Sequence, residues 1–199
     1  MKVLVACEES QTVCKAFRKR GFEAYSCDLQ DCSGGHPEWH IKDDAVKVLW
    51  EGDWDLVIAH PPCTRLANSG VSWLSKRNLY RELAEGISFF NQFVCYGFSG
   101  KKIAIENPIP HKYAVIPKYS QIIQPWHFGH GETKATCLWL YGLPNLKPTT
   151  ISDGREQRLH RLPPSDDRAK LRSKTYQGIA DAMAQQWGDY LLTQIKKSA

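Results

Sequence analysis

Two short motifs hold residue types able to do covalent chemistry. Residues 55–70, DLVIAHPPCTRLANSG, place Cys63 directly after Pro61 and Pro62. The apolar run before the prolines reads as a buried strand. Proline cannot donate to a sheet ladder, so that strand must stop there and leave the thiol at its carboxyl end, on a backbone the prolines hold. Residues 104–108, AIENP, end the next strand-like run in a carboxylate, Glu106. Neighbouring ends of a parallel sheet lie about 5 Å apart, so Cys63 and Glu106 could flank one substrate ring. A thiolate adds to C6 of a pyrimidine when charge building on the ring is neutralised, and a carboxylic acid at N3 does this. The adduct makes C5 an enamine-like nucleophile, able to take a methyl group from a sulfonium. Taken singly, Cys63 reads equally as a buried structural thiol and Glu106 as a salt-bridged carboxylate.

The elements that must position these groups alternate. Residues 2–6 are a short apolar run followed by polar residues. A helical pattern with Val13, Ala16 and Phe17 on one side comes next, and Gly21 ends it. Residues 23–26 suit a second strand and 53–59 a third, apolar enough to be buried on both faces as parallel strands are. Leu79, Leu83, Ile87, Phe90 and Val94 recur at helical spacing, which predicts a crossover helix over 78–96. Residues 102–105 form the next strand and 136–141 a late one. Ile179, Met183, Trp187, Tyr190 and Leu191 place an apolar face on a closing helix over 176–195. This alternation predicts a doubly wound, Rossmann-like α/β sheet, with ligands at the carboxyl ends of its strands.

At 199 residues and 42% hydrophobic, the chain suits a single domain over 1–199. No run is apolar and long enough to cross a bilayer and no leader pattern opens the chain, so a cytoplasmic protein is expected. Seven cysteines, several within strand-like runs, are unlike a disulfide framework. The net charge of +5 discriminates weakly, but seven Lys and Arg residues fall between 155 and 174, inside a basic loop region over 147–175. Arg158, Arg168 and Arg172 could there track a phosphate backbone, or face solvent. Cys27, Cys32, His36 and His40 match no common zinc spacing, so no structural metal is expected.

Pro62-Cys63 and Glu106-Asn107 resemble, in order and separation, the Pro-Cys and Glu-Asn motifs of the DNA cytosine-C5 methyltransferases. The resemblance covers nearly the whole chain. HPEWHI, HPPCTRLANSG, FGHGETKATCLWL and TYQGIADAMAQQW are similar, in the same order, to short phage and prophage members of that family. It implies an AdoMet-dependent methyltransferase fold, with S-adenosyl-L-methionine as donor and DNA as partner, and leaves room for a homodimer. It further implies Cys63 as nucleophile, Glu106 at N3 and Lys134 near the base. On the donor side it implies Cys7, Glu8, Ser10 and Gln11 in the opening turn, Asp28 at the ribose hydroxyls, Asp44 at the adenine amino group, and Pro61. Arg65 and Ser69, in the loop after Cys63, are expected at the nucleic acid.

Three features depart from the family. The opening turn reads Ala6-Cys7-Glu8-Glu9-Ser10 where the family has Phe-x-Gly-x-Gly-Gly. Ile179 follows Gly178 where asparagine is usual, and only about thirty residues separate the late strand from the closing helix. The first two changes leave open a modified donor. The third leaves no room for the usual target recognition domain, so a free pyrimidine nucleotide is an alternative substrate. A non-catalytic nucleic-acid-binding or anti-restriction protein on the same fold is another alternative. An amino-group methyltransferase is disfavoured, because Cys63 is not the aromatic residue such enzymes place after the Pro-Pro pair.

Overall fold

The computed structural model describes residues 1–161, 163, 165 and 172–198. In chain order the elements are β1 (Lys2–Ala6), α1 (Thr12–Lys19), β2 (Glu23–Asp28), β3 (His40–Lys42), α2 (Ala45–Glu51), β4 (Leu56–Ala59), α3 (Val71–Lys76), α4 (Tyr80–Phe98), β5 (Ile103–Pro108), β6 (Gln121–Ile123), β7 (Thr136–Tyr141), α5 (Arg158–Arg161) and α6 (Gln177–Ser198). The strands form one sheet in the order β3-β2-β1-β4-β5-β7-β6. The first five run parallel, and β7 is antiparallel to both β5 and β6. The architecture is the doubly wound α/β sheet that the alternation of strand and helix patterns predicts.

The central strands are buried on both faces, as their unbroken apolar runs require. Val3 to Ala6 and Leu56 to Ala59 are fully buried. Side chains alternate across the sheet, so Val3 and Val5 join α1 and α6 in one core. Leu4 and Ala6 join α2 and α4 in the other. In the first core Met183 and Trp187 of α6 meet Val13 and Phe17 of α1. The second centres on Phe90, Phe93 and Trp139, with the Phe90 and Trp139 rings packed edge to face at 4.9 Å.

One difference from the sequence pattern bears on the site. The fourth strand pattern stops at Ile105, yet β5 continues to Pro108. The antiparallel β7 pairs Glu106 with Leu138 and Asn107 with Cys137, so the polar pair lies inside the ladder. Three of the four polar candidates of the zinc spacing are otherwise engaged. Cys27 donates to the Asp43 carbonyl, His36 stacks on Trp39 at 3.8 Å, and His40 is bonded to Ser26 and to the Gln30 carbonyl. Among the described residues no three metal-ligating side chains gather, and all seven cysteines are free.

Candidate active site

One row of the sheet carries most of the chemistry. The parallel register pairs Ala6 with Cys27, Ala6 with Ala59, and Ala59 with Ile105. The next residue on each strand therefore falls in a common row, Asp28, Cys7, His60 and Glu106, at the carboxyl edge. The His60 N–H donating to the Ala6 carbonyl at 2.9 Å and the Glu8 N–H donating to the Cys27 carbonyl at 3.1 Å extend the ladder into that row. With strands about 4.8 Å apart, Asp28 and Glu106 stand roughly 14 Å from each other across three strand spacings. The row is long enough to hold a nucleoside-sized donor at one end and a base at the other.

At the β4–β5 end, His60 Nδ1 lies 3.0 Å from Glu106 Oε2, with only 11% and 14% of the two side chains exposed. Burial pushes the Glu106 carboxyl up. The hydrogen bond to His60, with the charges of Lys134 and His60, more than offsets this and holds the group below its ordinary value. Asn107, buried beside it, donates from Nδ2 to the Pro61 carbonyl at 3.3 Å and so ties β5 to the proline loop. Cys63 follows that loop half-buried, its carbonyl accepting from the Leu66 and Ala67 N–H groups in a tight turn. Burial and then the Glu106 charge push the Cys63 thiol up, against the pull of Lys134 and Arg172. Lys134 Nζ donates to the Arg172 carbonyl at 2.9 Å. The charges of Glu106, Lys134 and Arg172 thus all reach the Cys63 thiol, and that of Lys134 reaches Glu106 as well. His60 and Asn107 complete the cluster and were not singled out as separate site residues in the sequence. The signal for His60 was a polar residue ending a buried strand.

The β1–β2 end is a strained turn. Cys7 and Gln11 both hold positive φ, 59° and 57°, a left-handed conformation that costs about 1–2 kcal/mol for a residue bearing a side chain. Not all of the expected donor residues present their side chains there. Glu8 is buried, and its carboxylate accepts from the Val13 and Cys14 N–H groups at 2.7 and 3.2 Å, capping the start of α1. Gln11 is fully buried and binds His36 with both ends of its amide, accepting from the N–H at 3.0 Å and donating to the carbonyl at 2.8 Å. Ser10 Oγ sits 3.1 Å from the Thr12 hydroxyl. Asp28 Oδ1 accepts from the Gln30 N–H at 3.0 Å. Asp44 Oδ1 caps α2 by accepting from the Val46 and Lys47 N–H groups at 2.7 and 3.1 Å. Glu9 Oε2 is buried with no hydrogen-bond partner among the described residues.

No family model matches the chain, and no curated protein matches it in sequence. Among solved structures it is similar to the methyltransferase EhMeth of Entamoeba histolytica, with a TM-score of 0.50 and 15% identity over 83% of this chain. The chain shares the fold of that protein. The chain spans 60% of the length of that protein.

On this fold the segment between β7 and α6 is short and partly neutralised. The Arg158 guanidinium pairs with Glu132 at 3.3 Å and Glu156 at 3.1 Å. Arg168 lies outside the described residues. The Arg172 carbonyl accepts from Lys134 Nζ, and its charge reaches the Cys63 thiol. Arg65 is half-buried and its carbonyl accepts from His111 Nε2 at 2.7 Å, while Ser69 is exposed in the turn before α3. His127 accepts from the Gln124 N–H, and His130 Nε2 accepts from the Gly178 N–H at 2.9 Å, securing the start of α6. Gly178 is required at that joint, because a Cβ there would stand 2.0 Å from the Phe128 carbonyl oxygen.

Proposed function

We propose that the chain transfers a methyl group from AdoMet to C5 of a cytosine in DNA, through a covalent adduct of Cys63 at C6. The observation that carries this reading is the placement of Cys63 and Glu106 at the carboxyl ends of the adjacent parallel strands β4 and β5, with the Lys134 charge, from the segment before β7, acting on both. The donor end also fits. The unpartnered Glu9 oxygen suits a donor amino group, and Asp28 at the end of β2 suits a ribose diol. AdoMet, when bound, supplies the electrophilic methyl group.

The remaining steps belong to the chain and the substrate. A cytosine extruded from the stack, at about a few kcal/mol, enters the crevice with its C6 facing Cys63. The thiol proton passes to the Glu106 carboxylate, and the sulfur forms its bond to C6. The C5–C6 π pair moves onto the ring as Glu106 delivers that proton to N3. Thiol plus carboxylate and thiolate plus carboxylic acid hold the same number of protons, so the exchange takes none from solvent. Lys134 offers its charge near O2. Once C5 is methylated, its proton leaves to a base or water, the electron pair re-forms the double bond and expels the Cys63 thiolate, and N3 returns its proton to Glu106. His60 holds Glu106 from behind, and Asn107 holds the Pro61 carbonyl and with it the nucleophile's loop.

The test is incubation with AdoMet and DNA containing 5-fluorocytosine, followed by a denaturing gel. Fluorine at C5 blocks the elimination, so wild type stays bonded to the DNA. Cys63→Ser forms no adduct and Glu106→Gln forms it much more slowly. An adduct surviving in Cys63→Ser, or a methyl group found on N4 of unmodified cytosine, refutes the reading.

A further inference from the structure

The loop that carries Cys63 and the loop that leaves β5 are stitched together. The Asn68 N–H donates to the Ile109 carbonyl at 3.0 Å, the His111 N–H donates to the Leu66 carbonyl at 2.9 Å, and Ala67 bridges Pro110 antiparallel. From this joint the chain runs on one side into α3 and on the other into residues 112–115. Each arm ends in an exposed aromatic ring beside a cation. Trp73 keeps 48% of its surface exposed although the Arg77 guanidinium lies over it at 4.4 Å and Lys76 at 5.6 Å. Tyr113 is 50% exposed, with Lys112 Nζ 5.0 Å from its ring. Leu74, next to Trp73, is buried and anchors α3. The aromatic ring is therefore on the outward face by construction, not through lack of packing.

The two chain segments that carry these rings hold charge of one sign. No aspartate or glutamate occurs between Asp55 and Glu82, or between Glu106 and Glu132. The contrast with the expected basic segment is plain, since Arg158 there is paired with two glutamates. Rings that offer a flat apolar face, each beside an unneutralised cation, match bases joined by phosphates. An apolar protein partner would not need the cations, and a duplex would keep its bases from the rings.

We infer that Trp73 and Tyr113, with Arg77, Lys76 and Lys112, form a stacking platform for single-stranded DNA beside Cys63, so that the protein prefers unpaired over duplex DNA. This rests on the proposed cytosine chemistry for its choice of nucleic acid. Nucleotides flanking the target stack on the rings and their phosphates meet the cations. A strand already unpaired spares the protein the cost of extruding the base, which suits a chain with so little sequence between β7 and α6.

The test measures anisotropy of a labelled single-stranded oligonucleotide and of the same sequence as a duplex, with methyl transfer followed on both by mass spectrometry. The single strand should bind at least about tenfold tighter. Trp73→Ala should weaken it by about 5- to 100-fold and Trp73→Phe should recover most of the loss. Lys112→Gln should flatten the salt dependence by about 0.7 of a unit of slope. Equal or tighter duplex binding overturns the platform, as does unchanged binding in both Trp73→Ala and Tyr113→Ala. Methylation of duplex DNA that Trp73→Ala leaves intact overturns the platform while the C5 chemistry stands. Single-strand binding lost in Trp73→Ala, with no methyl transfer by wild type, supports the platform and refutes the chemistry.

Discussion

Replacing His60 by phenylalanine removes the donor that faces a buried carboxylate, and its cost can be worked out from the site. The Glu106 side chain is 14% exposed and His60 Nδ1 stands 3.0 Å from it. A hydrogen bond to a charged group contributes about 1.5–3 kcal/mol, and for a chain of this size each kcal/mol moves Tm by about 2–4 °C. His60→Phe should therefore lower Tm at pH 7 by about 3–12 °C, while His60→Gln, which keeps a donor, should lose less. The pH dependence gives a second, independent sign. In wild type Glu106 is held below its ordinary value, so its contribution is present above 4.5 and lost as pH falls through the lower folded value. Without His60, burial is opposed by Lys134 alone, the folded value moves up, and ionised Glu106 destabilises the protein at neutral pH. The gap between wild type and variant should thus be widest at pH 7 and close as pH falls below 4.5. Calorimetry across that range is the measurement. A variant with wild-type Tm at pH 7, or a gap that widens below 4.5, would show that His60 does not hold Glu106.

Gly178→Ala forces a Cβ to 2.0 Å from the Phe128 carbonyl, so the first turn of α6 must shift. Overpacking of this kind costs about 1–3 kcal/mol, read as a lower urea midpoint; an unchanged midpoint would contradict the packing described. Lys134→Met removes a charge that pulls the Cys63 thiol down, so the pH midpoint of Cys63 alkylation, above 9.0 in wild type, should move higher. Glu106→Gln should move it lower, and either shift in the opposite direction would refute the electrostatic account of the crevice.

Long periodic runs made the architecture readable in the sequence. The apolar stretch before Pro61 and the spacing of Leu83, Ile87, Phe90 and Val94 express burial that survives any detail of packing. The three-residue strands β3 and β6 have no period to detect and exist only because a neighbour offers a ladder. That Cys63 and Glu106 follow neighbouring parallel strands could be read in advance, because consecutive strand patterns joined by a helix pattern tend to lie side by side. The bond from His60 to Glu106 could not, because it depends on register between strands 46 residues apart. Glu8 and Gln11 show the converse difficulty. A polar residue in the opening turn looks the same in sequence whether it faces a ligand or caps a helix, and here the buried N–H groups of Val13 and Cys14 settle the matter for Glu8.

The packing of α6 on α1 sets the order in which this protein can be made. Val13 and Phe17 are fully buried, and the side chains that cover them include Met183 and Trp187. On a ribosome, the β1–α1–β2 unit must wait with an uncovered apolar face until α6 has emerged. Contacts between residues so far apart in sequence slow folding, because the intervening chain must be ordered before they form. During that wait the face is open to any other apolar surface nearby, which makes the nascent chain a natural client for chaperones. The helix α1 is thus made long before it becomes secure.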